Sequence, residues 1–211
     1  MNISDARTGD LVLFHGTGLI SYALEYFGKS RYSHVGIILV NPTYLCETLN
    51  EGVYVWDASY TGTPDAENHT IRFGVHIHKW ADIVIKYEPH AISIRRIHMD
   101  RDDAFERTLT LIHQEVHAKP YDLHPLDWIC GMLNLYIDVP TPKHTDRFWC
   151  SALVAYVYYR LGWISNVNWS VIAPREFSKS TTRQLVFTCI IDDEREVSVE
   201  KVSTIEFEQN I

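Results

Sequence analysis

Cys150 carries the sharpest chemical signal in the chain. It follows Phe148-Trp149 and opens a run to Leu161 with Leu153, Val154, Val157, Tyr158 and Leu161 on one face and Gly162 at the end, which predicts a helix carrying the cysteine in its first turn. The free amides of a helix N-terminus favour a thiolate and can donate to an oxyanion. A thiol nucleophile needs a base, and distant segments can supply one. His34, preceded by Tyr32-Ser33, opens the β-rich segment His34–Val40, where a ring nitrogen can meet a sulfur from elsewhere. Tyr44 to Thr48 reads as the following strand, so Glu47 is expected beside His34 on one face, orienting the imidazole. Each residue also has a plainer reading. Most cysteines are small hydrophobes, His34 is one of eleven histidines, and a strand acid usually faces solvent. Cys46, Cys130 and Cys189 lie inside apolar runs and read as packing residues.

Other groupings are weaker. His113 and His117 are i, i+4 on a predicted helix, and His76 and His78 alternate on a predicted strand. Both spacings suit Zn²⁺, but neither pair has further ligands at motif spacing, so no metal and no cofactor are expected. A metalloprotein built on these four histidines is the third-ranked reading. Gly16-Thr17-Gly18 lacks the Lys-Ser/Thr of a phosphate loop. Trp128 to Tyr136 reads as core packing before it reads as an apolar lid or a membrane-touching patch.

The elements that must position these residues follow from the apolar pattern. Asp10 to Phe14, His34 to Val40, Tyr44 to Thr48, Gly52 to Trp56, Ile71 to Ile77 and Ile92 to Ile97 read as strands, with Asn50-Glu51-Gly52 as a hairpin connection. Gly18 to Phe27, Asp100 to Ala118 and Cys150 to Leu161 read as helices, and Pro174 begins a short helical turn. Two β-like runs, Leu185 to Ile191 and Val197 to Val202, precede a tail expected to fray. A strand, a helix, several strands and two more helices make an α+β pattern with a mostly antiparallel sheet.

Composition narrows the function classes. The 211 residues include 19 Lys+Arg against 27 Asp+Glu, a net charge of −8 that argues against nucleic acid as a partner. At 46% hydrophobic and 22% charged, the chain is expected to bury a globular core. Four dispersed cysteines do not make a disulfide framework. No transmembrane run or signal peptide is read, so the expected location is cytoplasmic, or host cytoplasm for a viral protein.

Taken in order, Gly9-Asp10-Leu11-Val12-Leu13-Phe14, Tyr32-Ser33-His34-Val35-Gly36-Ile37, Glu47, Lys119-Pro120-Tyr121-Asp122, Trp149-Cys150-Ser151-Ala152-Leu153-Val154 and Ala173-Pro174-Arg175-Glu176-Phe177 resemble the circularly permuted branch of the NlpC/P60 superfamily. The nearest look-alikes are YiiX-like bacterial proteins and their poxvirus relatives, with the lecithin:retinol acyltransferase group more distant. The resemblance implies a permuted papain-like α+β fold over residues 1–180, an antiparallel sheet packed against the nucleophile-bearing helix, and a β-rich or frayed extension over 181–211. It implies Cys150 as nucleophile, His34 as base and Glu47 as orienting residue, with Tyr32 a lesser candidate for lining the site or aiding the oxyanion. Trp149 replaces a commoner Tyr, and Ala152 a Glu often seen two residues after the nucleophile. The implied activity is a cysteine-dependent hydrolase or acyltransferase acting on a peptide, N-acyl or lipid acyl bond through a thioester, with transient membrane-surface contact admitted. The alternative is a catalytically silent binding or virulence module that keeps the pocket.

Overall fold

The computed structural model describes residues 1–16, 31–87, 90–123, 143–165, 167–180 and 185–197. The helix expected over 18–27, the Gly16-Thr17-Gly18 turn beyond Gly16, the Trp128–Tyr136 stretch with Cys130, and the tail beyond 197 lie outside the described residues.

Eight strands are described: β1 (Leu11–Phe14), β2 (His34–Val40), β3 (Val53–Ser59), β4 (Gly74–Lys79), β5 (Ile92–Arg95), β6 (Ile97–His98), β7 (Ile190–Ile191) and β8 (Arg195–Glu196). Six form one sheet in the order β4-β3-β2-β1-β5-β8, antiparallel at every pairing; β6 and β7 form a second, two-stranded sheet. Three α-helices are described: α1 (Trp80–Val84), α2 (Asp103–Val116) and α3 (Cys150–Arg160). The architecture is therefore mixed α+β around an antiparallel sheet. None of the described helices is long and apolar enough to cross a membrane.

The period-2 pattern sorts the strand residues onto two faces. On one face Leu11, Leu13, Val35, Ile37, Leu39, Tyr54, Trp56 and Ile77 pack with Leu109, Ile112 and Val116 of α2 and Leu153, Val154 and Val157 of α3. On the other, Val12, Phe14, Ile38, Val55, Ile92 and Ile94 pack with Trp80 and Ile83 of α1. Helix α2 starts where the Asp102 carboxylate accepts a hydrogen bond from the Phe105 amide, so an acidic residue caps the first turn.

The segment between β2 and β3 departs from the sequence reading. Residues 44–48 form turns, and Glu47 is exposed in them. Tyr44 and Leu45 are anchored by side-chain packing, but only Val53–Ser59 pairs with β2. The strand expected over 71–77 runs later, as Gly74–Lys79. Of the run 185–191 only the last two residues are strand, and β8 closes the main sheet against Ser93 and Ile94.

One lacing contact brings the chain to α3. Gly74 bridges Pro120, and Tyr121 bridges Phe148, two residues before Cys150. A Cβ on Gly74 would stand 2.2 Å from the Lys119 carbonyl oxygen, so only glycine permits this approach.

Candidate active site

Cys150 is the first residue of α3, and Trp149 is its N-cap in extended conformation without a side-chain cap bond. The thiol is therefore set among first-turn amides that the helix leaves unbonded. Ser151 beside it is anchored by donating to the Ile172 carbonyl oxygen at 2.5 Å. Helix α3 is buried on nearly every side as far as Tyr158, which fixes its start.

His34 begins β2, at an end of the sheet. Its ring packs against Phe14, with centroids 5.4 Å apart, and Phe14 packs in turn against Tyr87 at 4.7 Å. His34 Nε2 donates to Asp57 Oδ2 at 2.6 Å; the two side chains are 17% and 3% exposed. That bond leaves Nδ1 as the nitrogen available to the sulfur. Burial alone lowers the His34 pKa. The Cys150 charge, the Asp57 hydrogen bond and charge, and hydrogen bonding to Cys150 outweigh it and hold the imidazole well above its ordinary range. The ring thus feels both the sulfur and the carboxylate electrostatically.

Asp57, rather than the expected Glu47, stands beside His34. The next paired strand after β2 is β3, and its Val53, Val55, Asp57 alternation puts the carboxylate on the same face as His34. The register Ile37↔Trp56, continued by one residue, sets Gly36 beside Asp57. A Cβ on Gly36 would lie 2.9 Å from Val55 Cγ1 and 3.3 Å from Asp57 Cβ, so the glycine gives β3 room there. Glu47 lies in its exposed turn, and the carboxylate that meets the His34 ring is that of Asp57.

Asp57 is itself held from several sides. His76, its cross-strand partner, approaches Oδ1 at 2.8 Å, and Ser59 Oγ donates to Oδ1 and Oδ2 at 3.2 and 3.3 Å. Burial would raise the carboxyl pKa, but the His76 charge and the His34 hydrogen bond override it and hold Asp57 well below the carboxylate range. His78 follows on the same face, its ring 3.9 Å from that of His76, and burial pushes its pKa down. Donor atoms of Asp57, His76 and His78 lie within 4.8 Å of one another.

Tyr32 is placed differently from a site-lining hydroxyl: it is buried and donates to Ser93 Oγ at 3.1 Å, across the sheet on β5. Two other tyrosines lie within the electrostatic reach of Cys150 and Asp57. Tyr121 lies in the electrostatic field of Cys150 and Asp57, and burial followed by the Cys150 charge pushes its phenol well up. Phe73 stacks on it at 4.4 Å. Tyr87 is likewise raised, by burial first, and feels His34, Asp57 and Cys150. Tyr121 stands in the quoted Lys-Pro-Tyr-Asp motif; Asp57 was legible only as an acid interrupting the apolar run Val53 to Ala58.

No family model and no curated protein sequence matches this chain. Among solved structures, the metalloprotein yiiX from Escherichia coli O157:H7, DUF1105, aligns with 74% of this chain and 67% of its own at a TM-score of 0.50 and 21% identity. The likeness is one of fold, a mixed α+β architecture around an antiparallel sheet.

Proposed function

We propose that this chain is a cysteine-dependent hydrolase or acyltransferase of permuted papain-like type, working through Cys150, His34 and Asp57 and a thioester intermediate. The reading is carried by a thiol at a helix N-terminus whose charge acts on the His34 ring, together with the 2.6 Å hydrogen bond from that ring to a buried carboxylate. In this reading Asp57 fixes the ring by accepting a hydrogen bond from Nε2–H and favours the imidazolium. His34 Nδ1 receives the thiol proton, and the sulfur attacks the acyl carbon. Amides of the first turn of α3 hold the resulting oxyanion, with the neutral Tyr121 phenol as a further donor. The imidazolium returns its proton to the leaving amine or alcohol as the tetrahedral adduct collapses to a thioester. Water or another acceptor, deprotonated by His34, then releases the acyl group and restores the thiol.

The yiiX neighbour is described as a metalloprotein. In this chain a cation held by Asp57, His76 and His78 would compete with His34 for the same carboxylate, so thiol chemistry and a metal there are alternatives. Asp57 Oδ2 bonded to His34 favours the thiol reading.

The test is a panel of electrophilic acyl probes, bearing peptide, N-acyl and lipid-ester groups, on wild type and Cys150→Ala. The expected result is labelling and turnover of one acyl class by wild type alone. Labelling that persists in Cys150→Ala overturns the reading, and a biological effect that survives that substitution favours the silent binding module.

A further inference from the structure

The four histidines of the sequence divide between two separate clusters, and only one belongs to the catalytic group. The other is built from Glu67, His113 and His117. Its ligand atoms also lie within 4.8 Å of one another. We propose that Glu67, His113 and His117 bind a divalent transition ion of the Zn²⁺ class, with an open position facing a surface cleft.

The placement is local and rigid. His113 lies in the last turn of α2 and His117 is the residue that caps its C-terminus, with ring centroids 5.3 Å apart. Glu67 comes from the loop between β3 and β4. Its amide donates to Asp65 Oδ1 at 3.0 Å, and its carbonyl accepts from Thr48 Oγ1 at 2.8 Å. Its two carboxylate oxygens diverge: Oε1 lies 2.9 Å from His113 Nε2, and Oε2 lies 3.0 Å from His117 Nδ1. The glutamate thus sits between two imidazoles, each facing a separate oxygen.

The buried ring here is His113. Its side chain is 6% exposed; Nε2 meets only the Glu67 carboxylate, at 2.9 Å, and Nδ1 has no hydrogen-bond partner among the described residues. A buried polar side chain left unpaired costs stability. A cation taking the place of the proton between Nε2 and Glu67 would be held by both groups. A cleft of about 350 Å³ gives the entry path; His113, His117 and Glu67 line it together with Cys46. Cys46 Sγ contacts Thr48 Oγ1 at 3.0 Å, so the thiol and the glutamate loop are tied through one threonine. Two imidazoles, one carboxylate and an open place beside a thiol match the donor preferences of Zn²⁺ or Co²⁺ rather than those of Mg²⁺ or Ca²⁺.

The test uses full-length protein stripped by chelator and dialysed, then titrated with Zn²⁺ by calorimetry and with Co²⁺ by visible absorption. One equivalent is expected, with the intense d–d bands of four-coordinate cobalt. His117→Gln, at a side chain 35% exposed that the fold tolerates, should weaken binding by at least about tenfold. His76→Gln should leave it unchanged, and circular dichroism checks that each variant is folded. No metal uptake by wild type overturns the proposal. So does uptake that survives His117→Gln, or uptake lost in His76→Gln alone, which assigns the ion to the Asp57 cluster. The measurement is independent of Cys150, so its failure would leave the thiol reading standing.

Discussion

Removing the Asp57 charge is the most informative perturbation, and it needs no knowledge of the substrate. Asp57→Asn keeps the size of a side chain that is 3% exposed, but strips the charge facing His34. Two unit charges about 4 Å apart at an effective dielectric of about 20 interact by about 4 kcal/mol. Relaxation and partial solvent access to His34 reduce this to about 2–3 kcal/mol, or roughly 30- to 150-fold in the population of the thiolate–imidazolium pair. The assay is alkylation of Cys150 by iodoacetamide at low excess near pH 6. A free thiol of ordinary acidity is about 0.3% thiolate there. Deprotonation of the thiol by a positioned base is expected to leave wild type about tenfold or more faster than a free thiol. Asp57→Asn should return the rate towards the free-thiol value. Glu47→Gln should do nothing, because Glu47 sits in an exposed turn. If Asp57→Asn alkylates within twofold of wild type, or if Glu47→Gln slows the reaction as much, the interacting group described above does not operate.

Three further outcomes follow from the same geometry. Gly36→Ala should slow alkylation more than it destabilises the fold, since the added methyl meets Val55 and the Cβ of Asp57; denaturant midpoints measured beside alkylation rates separate the two effects. Tyr32→Phe should cost about 0.5–1.5 kcal/mol of stability through the lost Ser93 bond and leave the alkylation rate unchanged; a tenfold slower rate would return Tyr32 to the site. The stability advantage of wild type over Asp57→Asn, read from chemical denaturation, should be complete above the unfolded carboxyl pKa near 3.9 and vanish as pH falls towards the depressed native value. The His34 contribution has the opposite sign: it is complete below about pH 6.5 and is lost as pH rises through the elevated native value.

The parts of the site legible in the sequence were those set by local rules. A helix N-terminus can be read from apolar spacing and a terminal Gly, and Cys150 stands at the start of α3 as that pattern predicts. His34 was legible because β2 begins where the β-rich run begins. The partner of His34 depended on which segment pairs with β2, a long-range choice. Residues 44–48 have the composition of a strand, yet Pro42 and Asn41, with φ of +49°, start a turn, and the apolar side chains of the segment dock on the core instead. The register therefore passes to Val53–Ser59 and presents Asp57. The error had a detectable cause. Glu47 stood among residues with no rival use for a carboxylate, whereas Asp57 interrupted a run of Val, Tyr, Val, Trp and Ala that burial would otherwise keep apolar. An acid placed there must be paid for by partners, and His34, His76 and Ser59 supply them. The same reasoning separates the histidines. His76 and His78 alternate on the strand beside Asp57, while His113 and His117 are helix neighbours that meet Glu67 from a loop. Spacing identified both pairs, and only the tertiary fold could reveal that each pair has its own carboxylate.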